Sequence, residues 1–102
     1  MFYRRKIILA LIQLLGGELE KLRIQKLLFL YSQKKKNPEY EFIPYKFGCY
    51  SFSANADLVT MVKNGSLSEN EYFFIKDSSE DYLKTLKVED KKIIQEVVQL
   101  YG

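Results

Sequence analysis

Any chemistry in this chain has to come from a short supply of side chains. The 102-residue sequence holds a single cysteine, Cys49, and no histidine. A cysteine becomes a nucleophile as the thiolate, which needs a base, a cation or a helix N-terminus to lower its pKa. Lys46 stands nearby in sequence, and a helix is expected just after Cys49. The lack of imidazole removes the commonest general base and the commonest metal ligand. A Cys/His zinc site cannot be assembled within one such chain. The carboxylates Glu69, Glu71, Glu80, Asp81, Glu89 and Asp90 fall in expected turns and first helical turns. There they stabilise helix N-termini or stay solvated. No glycine-rich phosphate loop or metal motif occurs. The sequence thus predicts no catalytic residue, no cofactor and no metal, and favours a binding or regulatory module over an enzyme.

The elements that would position such a module follow from composition and periodicity. Hydrophobic residues make up 47% of the chain and aromatic residues 15%, too much for disorder and enough for one folded domain. Net charge is +3, unevenly spread. Residues 1–50 hold ten Lys and Arg against four acids, and residues 51–102 hold six Lys against nine acids. A basic front and an acidic back suit an anionic partner on one side, or simply a dipolar surface. One cysteine cannot form an internal disulfide, which favours a reducing, cytoplasmic setting. Arg4, Arg5 and Lys6 before IILALIQLL resemble a secretory leader, but no A-x-A-like cleavage site follows and Gln13 interrupts the run. Ile8, Leu11, Ile12 and Leu15 share one helical face, so the segment reads as a core helix. No stretch is long enough to span a bilayer.

The first helix is expected over about residues 2–15, closed by Gly16-Gly17. A second runs over about 20–33; its leucines leave little polar face, which predicts a central, buried position. Asn37-Pro38 breaks the chain, and YEFIPYKFGCYS, residues 40–51, reads as one short strand or extended segment. Ser51 or Ser53 can cap a third helix that continues to about Lys63. Residues 66–76 read as a hairpin with halves 66–68 and 72–76, turning at Glu69-Asn70. A short helix is expected to start at Ser78 or Ser79, and a last helix spans about 88–101. Its stripe of Ile93, Ile94, Val97, Val98 and Tyr101 calls for a partner, either another protein or a further domain of the same chain past Gly102.

This order predicts an α+β fold, mainly helical and winged-helix-like, with helices and a small β-hairpin. In such a fold the third helix enters the DNA major groove and the hairpin forms the wing. The residues offered to nucleic acid are Arg23, Lys26, Asn55 and Lys63. Against this stand Asp57 on the same third helix, which opposes phosphate, and a long gap between the second and third helices. A nucleic-acid contact and a bland, solvated set of helix ends both remain open for the basic residues.

LEKLRIQKLLFLYSQ followed by FIPYKFGCYS resembles the Panacea-type, SocA-like antitoxin family and its bacterial relatives. Leu22, Gln25, Lys26, Leu27, Leu28 and Tyr31 match that family's leucine-rich helix. Phe47, Gly48 and Tyr50 match its aromatic-glycine segment, with Cys49 where the family carries proline. The resemblance covers about residues 19–67. It implies a winged-helix-like fold and a non-catalytic antitoxin or adaptor that binds other proteins. It also implies a contact surface at Tyr45, Phe47, Gly48, Cys49 and Tyr50. The same aromatics could instead pack beneath the helices.

Overall fold

Ile7, Ile8, Leu9, Ala10, Leu11 and Ile12 are all fully buried, so the apolar character of this helix extends around its whole circumference rather than along one face. A helix of that kind must be enclosed by the rest of the chain. A computed structural model of the protein describes residues 1–46, 48–76 and 78–102. The buried helix is α1, Tyr3–Leu14. It leads into β1, Glu18–Glu20, and α2, Lys21–Gln33. After β2, Ile43–Tyr45, and β3, Gly48–Tyr50, comes α3, Phe52–Lys63. Then follow β4, Ser68–Glu69, β5, Phe73–Ile75, a 3-10 turn at Leu83–Thr85, and α4, Val88–Tyr101. The fold is α+β, dominated by helices, with two small antiparallel sheets.

Helix α1 ends as its glycines predict. Gly16 and Gly17 adopt φ of 90° and 95°, the left-handed region that glycine enters without strain. The Gly17 N–H donates to Ile12 O and the Gly16 N–H to Gln13 O, the paired bonds of a Schellman closure. The turn delivers the chain into β1, which pairs antiparallel with β5 through Leu19↔Phe74, and β5 also pairs with β4. The sheet order is β1-β5-β4. Strand β1 escaped the sequence reading because it has only one apolar residue, Leu19, too few to show alternation.

Four further expectations need correction. The segment read as one extended piece over residues 40–51 is a hairpin, β2 against β3, with Pro44 opposite Cys49. The hairpin after α3 turns one residue later than expected, because the Asn70 side chain accepts bonds from the N–H groups of both Tyr72 and Phe73. The helix expected from Ser78 or Ser79 begins only at Leu83, because Gln13 pins this segment to α1: its amide donates to Asp81 and its carbonyl accepts from the Tyr82 N–H. The α4 stripe has its partner within the chain. Ile93, Ile94 and Val97 are buried, and α4 packs on α1 and α2. Of the stripe, Ile94 and Val97 are thus closed off from solvent, while Tyr101 at its end is exposed.

Two buried carboxylates lock the helices together. Asp57, on the inner face of α3, accepts from Arg4 Nε at 2.7 Å, Arg4 Nη2 and Arg5 Nε at 3.1 Å, and Tyr40 Oη at 2.6 Å. Asp90 accepts from Tyr3 Oη at 2.7 Å and pairs with Lys35 Nζ at 2.6 Å. The Tyr3 hydroxyl in turn accepts from the Lys87 N–H where α4 begins. Asp90 is thus a tertiary anchor, not a solvated first-turn acid. Burial alone would raise both carboxyls, but the donors outweigh it. Hydrogen bonds from Arg4, Tyr40 and Arg5 leave Asp57 below its ordinary value, and Lys35 with Tyr3 does the same for Asp90. A carboxyl depressed in the folded state stabilises the fold above its unfolded pKa, near 4, and that stabilisation is lost as pH falls toward the folded value. Urea denaturation should show stability dropping steeply once pH falls below about 4. Asp57→Asn should cost about 2 kcal/mol at neutral pH and give a shallower acid slope.

Candidate functional site

Helix α2 has two faces of different fate. Ile24, Leu27, Leu28 and Tyr31 point into the core. Leu22, Gln25, Lys26 and Phe29 lie on the other side, and Leu22 is 91% exposed. The reading of α2 as a helix buried all round is therefore corrected: only one side is enclosed. The β2–β3 hairpin docks beside the outer face. The Gln25 amide clasps it, donating from Nε2 to Ser51 O at 3.1 Å and accepting at Oε1 from Ser51 N–H at 2.9 Å. Ser51 itself caps α3, its Oγ accepting from the Ala54 N–H. One glutamine thus fixes both the end of the hairpin and the start of the next helix.

Between helix and hairpin lies an open groove of 580 Å³. Lys21, Leu22, Gln25, Lys26 and Phe29 form the helical wall; Tyr45, Gly48, Cys49 and Tyr50 form the other. Four of the five residues expected as a protein contact thus line one groove. The fifth, Phe47, lies outside the described residues. Tyr45, Tyr50 and Phe52 form a triangle of rings with centroids 5.0–5.4 Å apart, in the tilted and edge-on geometries aromatics prefer. Tyr45 is 50% and Phe52 54% exposed, so these rings do not pack beneath the helices. A smaller cleft of 290 Å³ shares Lys21, Gln25 and Tyr50 and runs on between α3 and the sheet, past Asn55, Val59 and Phe74.

The residues offered to nucleic acid are not gathered in the groove. Lys26 lines it, and Asn55 lines the smaller cleft. Arg23 donates to the Tyr101 carbonyl at 2.9 Å, at the end of α4. Lys63 stands exposed in the last turn of α3. Much of the basic front is neutralised within the chain: Arg4 and Arg5 by Asp57 and Lys35 by Asp90 and Glu39 at buried or half-buried carboxylates, and Lys21 by Glu69 at the surface at 2.5 Å. Asp57, expected beside Lys63 on the surface of α3, is only 2% exposed and faces inward. The outer face of α3 is therefore free of that acid, although Asn55, Ala56, Val59, Thr60 and Lys63 offer it one cation.

Cys49 is exposed and shares its groove with Lys21 and Lys26. Among the described residues, none that lines the groove is a carboxylate or imidazole that could take its proton. Among the described residues, no group of three or more His, Cys, Asp or Glu is placed to hold a metal ion. The arrangement offers apolar area, two ammonium groups and exposed backbone, which are means of binding. The sequence reading missed Leu22, Phe29 and Phe52 as surface residues. Leu22 sits off the Ile24–Leu27–Leu28–Tyr31 stripe, a signal present in the periodicity.

Comparison of the chain with protein-family models, with curated proteins and with solved structures returns no match. Gln25→Ala should leave the buried Ser51 N–H without a partner, while the Ser51 C=O keeps the Asn55 N–H, costing about 1–3 kcal/mol in thermal or urea denaturation. Gln25→Glu should fare no better, because its carboxylate faces the Ser51 carbonyl it would need to bind.

Proposed function

We propose that this chain is a non-catalytic, cytoplasmic regulatory module of winged-helix-like architecture, antitoxin- or adaptor-like, that works by holding another protein in the groove between α2 and the β2–β3 hairpin. The observation that carries this is the exposed apolar lining. Leu22 and Tyr45, which line the groove, and Phe52, whose ring packs on Tyr45, remain uncovered, and such patches mark interaction surfaces. Aromatic residues, as at Tyr45 and Tyr50, are the type enriched where protein partners dock. The winged-helix reading is supported by topology. A strand follows the first helix and pairs with the second strand of the hairpin after α3, and β2–β3 is an insertion between α2 and α3. The insertion explains the long gap between those helices. The described helices include none long and apolar enough to cross a membrane, which is compatible with a cytoplasmic setting.

A second reading, a DNA-binding winged helix, draws support from the inward turn of Asp57, which leaves Asn55, Thr60 and Lys63 outward beside β4–β5. One cation on that face is weak footing, since affinity for phosphate grows with the number of cations placed.

Selection of a displayed random-peptide library on the purified chain separates the two. The adaptor reading expects enriched peptides that bind the wild type and lose roughly tenfold or more in affinity to Leu22→Arg, whose side chain is already in water and whose fold should survive. Enrichment indifferent to Leu22→Arg, together with salt-sensitive binding of random duplex DNA that Lys63→Glu weakens, would move the function to nucleic acid.

A further inference from the structure

The outer face of α2 has the spacing by which helices pack on one another. Leu22, Gln25, Lys26 and Phe29 stand at i, i+3, i+4 and i+7, one side of the helix over two turns, about 10 Å. All four line the groove. The inner stripe, Ile24, Leu27, Leu28 and Tyr31, repeats that spacing and is covered by the core of the chain itself. Helix α2 thus carries two packing stripes, one enclosed and one open. The hairpin beside the open stripe gives an incoming chain no ladder to join. Strand β3 packs directly on α2, which closes that edge, and β2 carries Pro44, which has no N–H to donate. What the groove presents is chiefly side chains, with the Tyr45 and Tyr50 rings facing the helical row.

We propose that the occupant of the groove is an acidic amphipathic helix of a partner protein, laid along the outer stripe of α2. Its apolar face rests on Leu22, Phe29 and the rings of Tyr45 and Tyr50. This rests on the adaptor reading above and names the chemistry of the partner. A helix spends its backbone groups internally, so it asks of its receptor only a matching row of side chains. An extended segment would instead bring unpaired N–H and C=O groups onto an apolar lining, where each is worse off than in water. The charge preference follows from the rim. Lys21 and Lys26 line the groove, and Lys46 stands exposed next to Tyr45. Lys21 is shared with Glu69, while Lys26 makes no ion pair with another described residue. Among the described residues, the lining holds no carboxylate to repel an acid. Asp or Glu flanking the partner's apolar row meets ammonium groups there, and Lys or Arg in that place meets like charge.

The test sets the intact chain against two displayed libraries of peptides about 18 residues long. One randomises positions i, i+3, i+4, i+7 and their flanks on an alanine-rich helical scaffold; the other is linear and unconstrained. Enriched peptides are synthesised, and their binding is followed by fluorescence anisotropy and circular dichroism. The inference expects helical-library peptides with apolar residues at i, i+4 and i+7, flanked by Asp or Glu, that gain helicity on binding. A proline at the peptide's centre, and Leu22→Arg in the chain, should each cost about tenfold or more in affinity. Lys26→Glu should weaken the acidic peptide about fivefold and favour its lysine-for-glutamate counterpart. Linear peptides that need Leu22, tolerate a central proline and gain no helicity overturn the helix while sparing the adaptor reading. Enriched helices that are basic, or indifferent to Lys26→Glu, overturn the acidic assignment. If neither library yields binders that depend on Leu22, both this inference and the reading beneath it are overturned.

Discussion

The rest of the structure depends on enclosing six consecutive residues of α1. Ile7 to Ile12 span more than a full turn and a half of helix, so no side of α1 can face water. The inner face of α4, the 3-10 turn at Leu83–Thr85 and β1 are therefore committed to it, and α2 in turn packs on α4 and β1. What remains for contact with other molecules is whatever those elements present outward. On α2 that is Leu22, Gln25, Lys26 and Phe29, partly roofed by a hairpin too small to cover them. The groove is a by-product of where α1 must lie.

Apolar enclosure alone does not determine how the helices are turned about their axes. Asp57 and Asp90 supply that, each holding donors distant in sequence. Tyr3 meets Asp90 across 87 positions, and Arg4 meets Asp57 across 53. The basic front and acidic back visible in the composition meet largely inside the molecule, or along its seams, as Arg4/Arg5–Asp57, Lys35–Asp90 and Lys34–Glu96. A charge asymmetry that suggested an external anion is spent to a large degree on internal registration. That leaves Lys26 and Lys46 as cations beside the groove rather than members of a broad basic face.

Helix positions were readable because their apolar spacing is strong and their ends carry specific devices, Gly16-Gly17 at one and Ser51 at another. The α+β, mainly helical class was readable for the same reason. Strand β1 was not, since three residues with one leucine carry no period. The hairpin character of 43–50 was hidden because Pro44 and a dense run of aromatics look alike in an edge strand and in an irregular segment. Half of the groove was legible through Tyr45, Gly48, Cys49 and Tyr50. The helical half was obscured because a leucine-rich helix does not announce which leucines face water; Leu22 against Leu27 is decided by where α2 packs on α4 and β1. Asp57 shows the same limit. Its residue type says polar, and only the tertiary arrangement of Arg4, Arg5 and Tyr40 turns it inward.

The segment between α2 and α3 is fastened near its two ends. Tyr40 is bound to Asp57, with Phe42 stacked edge-on against Phe29, and Ser51 is held by Gln25. Between those fastenings, none of the described residues from Ile43 to Tyr50 belongs to the fully buried core. That part of the chain is free to diverge in sequence, or to be exchanged for a loop of another length, while the domain around it stays folded. One wall of the groove is constrained by the core and the other is not. Rewriting that single hairpin changes one wall of the groove and leaves the other as the core sets it.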